Sequence, residues 1–167
     1  MTRLVYLLGA ALAAGVLAAP AIAQAPVNPF PGKKLDVFLY ADTVNGSRPK
    51  GAPARPIGCT QTSYYKRGEQ LVFRVWGNEA ATGDVLSTAN VRYAYVKIPG
   101  QPNIKFNWGS HGAVGNKVWF WTAAFDIPAD YPLGVMAYRI VFKTETGKFG
   151  IFDPSTLPEP SRLTINP

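Results

Sequence analysis

Apolar and polar residues alternate along several short stretches of the chain, and a period of two is typical of β-strands. In the first stretch, KLDVFLYADT, Leu35, Val37 and Leu39 fall on one face of the predicted strand. Later stretches with β-branched and aromatic residues are EQLVFRVWG, VRYAYVKI, IKFNW, KVWFWTAAF, VMAYRIVFKT, FGIF and RLTIN. The pattern therefore predicts about eight strands and, beyond the N-terminal segment, no helix.

Segments rich in glycine and proline separate these strands, so the chain is predicted to be all-β, as a sandwich or a barrel. The unequal strand lengths and the proline-rich loops favour a sandwich of two sheets. Two loops are expected to project from it, one between Asn45 and Cys59 and a glycine-rich one at Gly109–Asn116. Loops of this kind commonly carry binding residues.

The N-terminus has the three-part pattern of a secretory signal. A basic start at Arg3 precedes an apolar run and then small residues at Ala21, Ala23 and Ala25. We predict a cleaved signal peptide at residues 1–23, an extended lead-in at 24–34 and a β-sandwich domain at 35–167. The mature protein is then periplasmic or secreted and has no membrane span, because no later segment is apolar enough to cross a bilayer.

The charge of the chain is mildly positive, with 17 Lys and Arg against 10 Asp and Glu. The basic residues are scattered along the sequence, whereas a nucleic-acid-binding protein would cluster them on one element. Nucleic acid is therefore not an expected partner. A protein or a small ligand remains as the partner, and the sequence does not identify it.

The segment WTAAFDIPADYPLGVMAYRIVFKTETGKFG combines an aromatic strand, a proline turn with PLG, a strand with Tyr138 and a TG hairpin. It resembles the closing half of bacterial immunoglobulin-like domains, over about Trp119 to Phe152. The resemblance implies an immunoglobulin-like sandwich and leaves function open. It also implies that Tyr138 lies near the corner tyrosine of that fold. The two core cysteines of antibody domains are absent, which excludes a true antibody-type domain.

The sequence gives no positive evidence for catalysis. His111 is the sole histidine, GSHG is not the nucleophile elbow of hydrolases, and no pair of carboxylates stands out. Cys59 is the sole cysteine, and we expect a small buried thiol, since free cysteine is among the most buried residue types. A thiol that links two chains is the first alternative.

Metal binding is the second alternative for Cys59. A thiolate and an imidazole suit copper or zinc, so Cys59 with His111 is a candidate metal site, although structural sites usually take four ligands. Met136 would add a thioether, but its position within a predicted strand favours a core residue.

The tryptophans raise the possibility of carbohydrate binding. Trp108 borders the glycine-rich loop, and Trp119 and Trp121 share one face of a strand that is apolar on both faces. Such a strand is more typical of a buried centre of a sheet. If one face were open, these rings with Tyr93 or Tyr95 from a neighbouring strand would form a flat binding patch.

The function expected from the sequence is an exported, non-catalytic binding or accessory module with Trp108, His111, Trp119 and Trp121 as ligand-binding residues. One alternative is a copper- or zinc-binding or redox accessory protein that uses Cys59 and His111. Another is a polysaccharide-binding domain.

Overall fold

The computed structural model describes residues 36–46, 59–112, 114–156 and 162–167. These residues form an all-β structure, as predicted, whose only helix among the described residues is a 3₁₀ turn at Pro154–Thr156. The strands are β1 Val37–Asn45, β2 Tyr64–Lys66, β3 Gln70–Glu79, β4 Val91–Lys97, β5 Ile104–Lys105, β6 Asn107–His111, β7 Val118–Asp126, β8 Gly134–Val135, β9 Arg139–Thr144, β10 Phe149–Phe152 and β11 Thr164–Asn166. The predicted signal peptide, the lead-in, Leu35 and residues 47–58 lie outside the described residues.

Two four-stranded sheets make up most of the structure, and we call them the first and the second sheet. The first has the order β1-β3-β7-β6 and the second the order β10-β9-β4-β5, with all neighbours antiparallel. A small third sheet has the order β2-β11-β8, in which β2 and β11 are parallel. This arrangement is compatible with a β-sandwich.

The core lies between the first and the second sheet and is filled by alternate residues of each strand. Leu71, Phe73 and Val75 of β3 are fully buried on one face, as the period of two predicts. Trp121 of β7 meets Phe142 of β9 edge to face, with the ring centroids 5.4 Å apart, and its indole N–H donates to the carbonyl of Leu86 at 2.8 Å. Aromatic packing across the sheets therefore joins the two layers, and no disulfide contributes because Cys59 is free.

The structure divides two of the predicted strands. IKFNW is split at Phe106, so that β5 belongs to the second sheet and β6 to the first. Phe106 is buried and its amide donates to Ala94 at 3.0 Å, which fixes the crossover between the layers. The stretch at 135–144 is likewise two strands, and Met136 in the break is buried in the core as expected.

Two other details differ from the sequence predictions. Strand β2 was not predicted, because its three residues pair in parallel with the distant β11. The predicted loop at Gly109–Asn116 is shorter, since Gly109, Ser110 and His111 pair with β7. No helix long and apolar enough to cross a membrane occurs among the residues described.

Candidate functional site

A hollow of about 610 Å³ lies on the face of the first sheet that points away from the core, and we call it the outer hollow. The outward residues of β3 and β7 form its floor, because side chains alternate between the two faces of a strand. The floor residues are Val72, Arg74, Phe120, Thr122 and Ala124, and the rim residues include Cys59, Gln70, Asn107, His111 and Asn116.

A row of rings crosses this face from β1 to β6. Tyr40 lies 5.8 Å from Trp76, and Trp76 lies 4.9 Å from Phe120, measured between ring centroids. The imidazole of His111 stacks on Phe120 at 4.2 Å with an interplanar angle of 13°. Aromatic pairs on adjacent strands stabilise a sheet, so this row stabilises the outer face of the first sheet beside the hollow.

Arg74 stands in the middle of the floor with a partner that neutralises its charge. Its guanidinium donates two hydrogen bonds to the carboxylate of Asp42, one of them from Nε at 2.8 Å. Register explains the pair, since Asp42 lies directly opposite Arg74 in the antiparallel ladder of β1 and β3. The hydrogen bonds to Asp42 raise the pKa of Arg74 further above its ordinary value. The guanidinium also lies over the rings of Trp76 and Phe120, at 5.7 and 5.8 Å from their centroids.

Cys59 is exposed at the rim of the outer hollow, so the expectation of a buried thiol is wrong. The physical reason is the path of the backbone. Cys59 has a φ of 61°, in the left-handed region that residues other than glycine rarely adopt. Its amide donates to the carbonyl of Asn45 at 2.8 Å, and Gln61 bridges to Val44, so this segment follows β1 at the surface. Strained backbone of this kind is found preferentially at functional sites.

His111 lines the same hollow as Cys59, the other residue proposed as a metal ligand. Partial burial lowers the pKa of His111, and the positive charge of Arg74 lowers it further. The imidazole is therefore neutral at pH 7 and able to accept a hydrogen bond or bind a metal. In the part of the chain that is described, no third His, Cys, Asp or Glu completes a cluster with them.

The three tryptophans predicted as binding residues lie on the opposite face of the first sheet from His111. Trp108 contacts both Trp119 and Trp121, with centroids 5.8 and 5.3 Å apart. Trp121 is buried in the core, whereas Trp119 is 53% exposed at the end of the strand. The predicted four residues therefore do not form one surface.

The tyrosine patch also takes a different form, because β4 belongs to the second sheet. Tyr93 and Tyr95 stack on each other with centroids 5.8 Å apart, away from the tryptophans. The prediction that these tyrosines lie on a strand next to Trp119 and Trp121 is wrong.

Four residues of the outer hollow are not predicted as site residues from the sequence: Arg74, Phe120, Thr122 and Asn107. The only signal was the arginine that interrupts the apolar run EQLVFRVWG, since a charge on a central strand needs a partner. The partner and the neighbouring strands follow from the register, which the sequence pattern leaves open. No protein-family model, curated protein or solved structure matches this chain.

Proposed function

We propose that this protein is an exported, non-catalytic binding module with an immunoglobulin-like fold. Leaving aside the small third sheet, the strands follow each other as β1, β3, β4, β5, β6, β7, β9 and β10. These eight strands can be labelled A, B, C, C′, D, E, F and G in that order. The first sheet then has the order A-B-E-D and the second the order G-F-C-C′. Immunoglobulin sandwiches have this pattern. Tyr138 lies one residue before β9, which supports this scheme because the corner tyrosine of that fold lies near the start of strand F. Export rests on the signal pattern of residues 1–23.

The observation that carries the binding function is the chemistry of the outer hollow. Apart from one arginine and one threonine, the side chains of its floor are apolar, and its volume falls within the range of about 300–1,000 Å³ common for ligand sites. Arg74 is neutralised by Asp42 and His111 is uncharged, so the hollow favours an uncharged ligand. The side-chain amides of Asn107 and Asn116 make no hydrogen bond to any described residue. Both amides are therefore available to hydrogen-bond a ligand. We infer an uncharged ligand with an apolar face and hydroxyl groups at its edge, such as a sugar ring.

Titration of the full chain with neutral mono- and disaccharides tests this function, with ligand-detected NMR for contact and tryptophan fluorescence for affinity. Binding is expected, and Asn107→Ala is expected to weaken it about 3- to 10-fold, the effect of one hydrogen bond of about 0.5–1.5 kcal/mol. Asn103→Ala, an exposed asparagine outside the hollow, serves as the matched control. Failure of every neutral sugar to bind, or an equal loss in both variants, would contradict the proposal.

A second candidate function is binding of copper or zinc by Cys59 and His111. Their common position on the outer hollow favours it, because a thiol and a neutral imidazole suit either metal. Metal content of protein purified without chelator tests it, with the prediction that Cys59→Ser and His111→Ala each lose metal. Equal content in the wild type and in both variants would exclude the two residues as ligands.

A further inference from the structure

A second cavity, of about 650 Å³, lies at the edge of the second sheet, and we call it the end pocket. It is formed where β4 ends, where residues 135–139 lead into β9, and where Asp153–Ser155 follow β10. It has no lining residue in common with the outer hollow. A ligand here would therefore occupy a site separate from the outer hollow.

The wall of the end pocket is largely apolar and well supported. Pro99, Met136, Tyr138 and Pro154 contribute to it. Met136 is buried in the core, and the ring of Tyr138 packs against Phe73 with the centroids 5.0 Å apart. Because these contacts fix the wall in the core, the pocket is largely formed before any ligand arrives.

The charged residues of the end pocket leave an excess of positive charge. Lys97, Arg139 and Arg162 are cationic, and Asp153 is the one carboxylate among its lining residues. Arg139 is bound to Asp153, with Nε and one terminal nitrogen each 2.7 Å from Oδ2. Neither Lys97 nor Arg162 forms an ion pair with another residue that the structure describes. Two positive charges therefore remain at an apolar cavity.

The surrounding sheet face strengthens this field. Lys105 lies opposite Tyr95, and Lys143 lies opposite Tyr93, so both lysines belong to the same outward face as Lys97. A surface lined by one sign of charge raises the local concentration of ligands of the opposite sign. An anion is therefore the charge class that this side of the molecule attracts.

We propose that the end pocket binds a small organic anion, a carboxylate with an apolar body. The apolar body would lie against the Met136–Tyr138 wall, and the carboxylate would be held by Lys97 and Arg162. The phenol of Tyr138 stays protonated at neutral pH, since burial and then the charge of Asp153 raise its pKa to about 12, and so it does not oppose an anion. This site goes beyond the proposed function and does not depend on it.

Calorimetric titration of the full chain with 2-naphthoate and with its neutral amide, 2-naphthamide, tests the proposal. Naphthoate is expected to bind at least about 10-fold more tightly, because a hydrogen bond to a charged group contributes more than a neutral one. Lys97→Gln and Arg162→Gln should each weaken naphthoate about 5- to 10-fold and leave the amide unchanged. Lys105→Gln is the matched control, as it removes the same charge from the same sheet face outside the pocket.

Three results would overturn the proposal: no binding of naphthoate, equal affinity for acid and amide, or an equal loss in Lys105→Gln and Lys97→Gln. The last would assign the effect to the charge of the whole face. Asn107→Ala should leave naphthoate binding unchanged, so that failure of this site and failure of the outer hollow are separate outcomes.

Discussion

The contact between Gly150 and Val37 provides a direct test of how the two sheets meet. Gly150 lies in β10 of the second sheet, and Val37 lies in β1 of the first. A Cβ atom added at Gly150 would come 2.5 Å from Cγ1 of Val37 and 3.2 Å from Cδ1 of Leu39. Gly150→Ala therefore overfills the space between the layers.

The expected loss of stability follows from two opposing effects. Overfilling a packed core costs about 1–3 kcal/mol, while replacing glycine within a strand regains about 0.5–1 kcal/mol. The net destabilisation is about 1–2 kcal/mol, or a fall of about 3–6 °C in the melting temperature of a domain of this size. Val37→Ala removes two methyl groups from a buried site and should cost about 2 kcal/mol.

The double variant separates this contact from unrelated damage. With Val37→Ala in place, Cγ1 is gone and the new methyl at residue 150 fits after a shift of a few tenths of an ångström, because Cβ of residue 37 remains 3.0 Å away. The double variant should then lose about 2 kcal/mol instead of about 3–4, a coupling of at least about 1 kcal/mol.

Urea denaturation followed by tryptophan fluorescence measures all three variants. Gly109→Ala is the control, since its Cβ would meet only Nε2 of His111, at 3.8 Å, and it should change stability little. Strictly additive losses for Gly150→Ala and Val37→Ala, or no loss in Gly150→Ala, would refute the packing of β10 on β1.

Two further predictions concern single side chains. Because its thiol is exposed, Cys59 should react with a thiol reagent in the native state at one equivalent per chain. For the same reason, the melting temperature of Cys59→Ser should stay within about 2 °C of the wild type. Reaction only after denaturation would show a buried thiol. Acid should destabilise the wild type more than Asp153→Asn. Burial opposes ionisation of Asp153, but hydrogen bonds from Ser155 and Arg139 outweigh it and hold its pKa below the ordinary 3.8. The stability that ionised Asp153 contributes is therefore present above its ordinary pKa of 3.8. It is lost as pH falls through the lower pKa of the folded state. Thermal unfolding between pH 6 and about pH 2 measures the difference, and parallel profiles would contradict the assignment.

Much of the secondary structure could be predicted because alternation is a local property. Phe73 and Val75 have the period of two that places them together on a buried face, whatever the rest of the chain does. Alternation does not predict the break at Phe106, where the apolar pattern continues but the chain passes from one sheet to the other. The break there depends on the hydrogen bond to Ala94 and on the pairing of Asn107 with Thr122, both of which join distant segments.

The candidate site was predictable only in part. Cys59 and His111 were notable as single residues of their kinds, and the structure places both at the outer hollow. The exposure of Cys59 does not follow from residue type, because it depends on the left-handed backbone at this residue. Arg74 was visible as a charge within an apolar strand, but its partner is 32 residues away in the chain.

The sequence by itself determined that this chain forms strands and which side chains of each strand share a face, because these depend on the spacing of neighbours along the backbone. Only the tertiary structure decided which strands are adjacent, which faces stay open and where cavities form. Those features depend on the register and crossover of segments far apart in sequence, and this is why the outer hollow and the end pocket appeared only once the sheets were assembled.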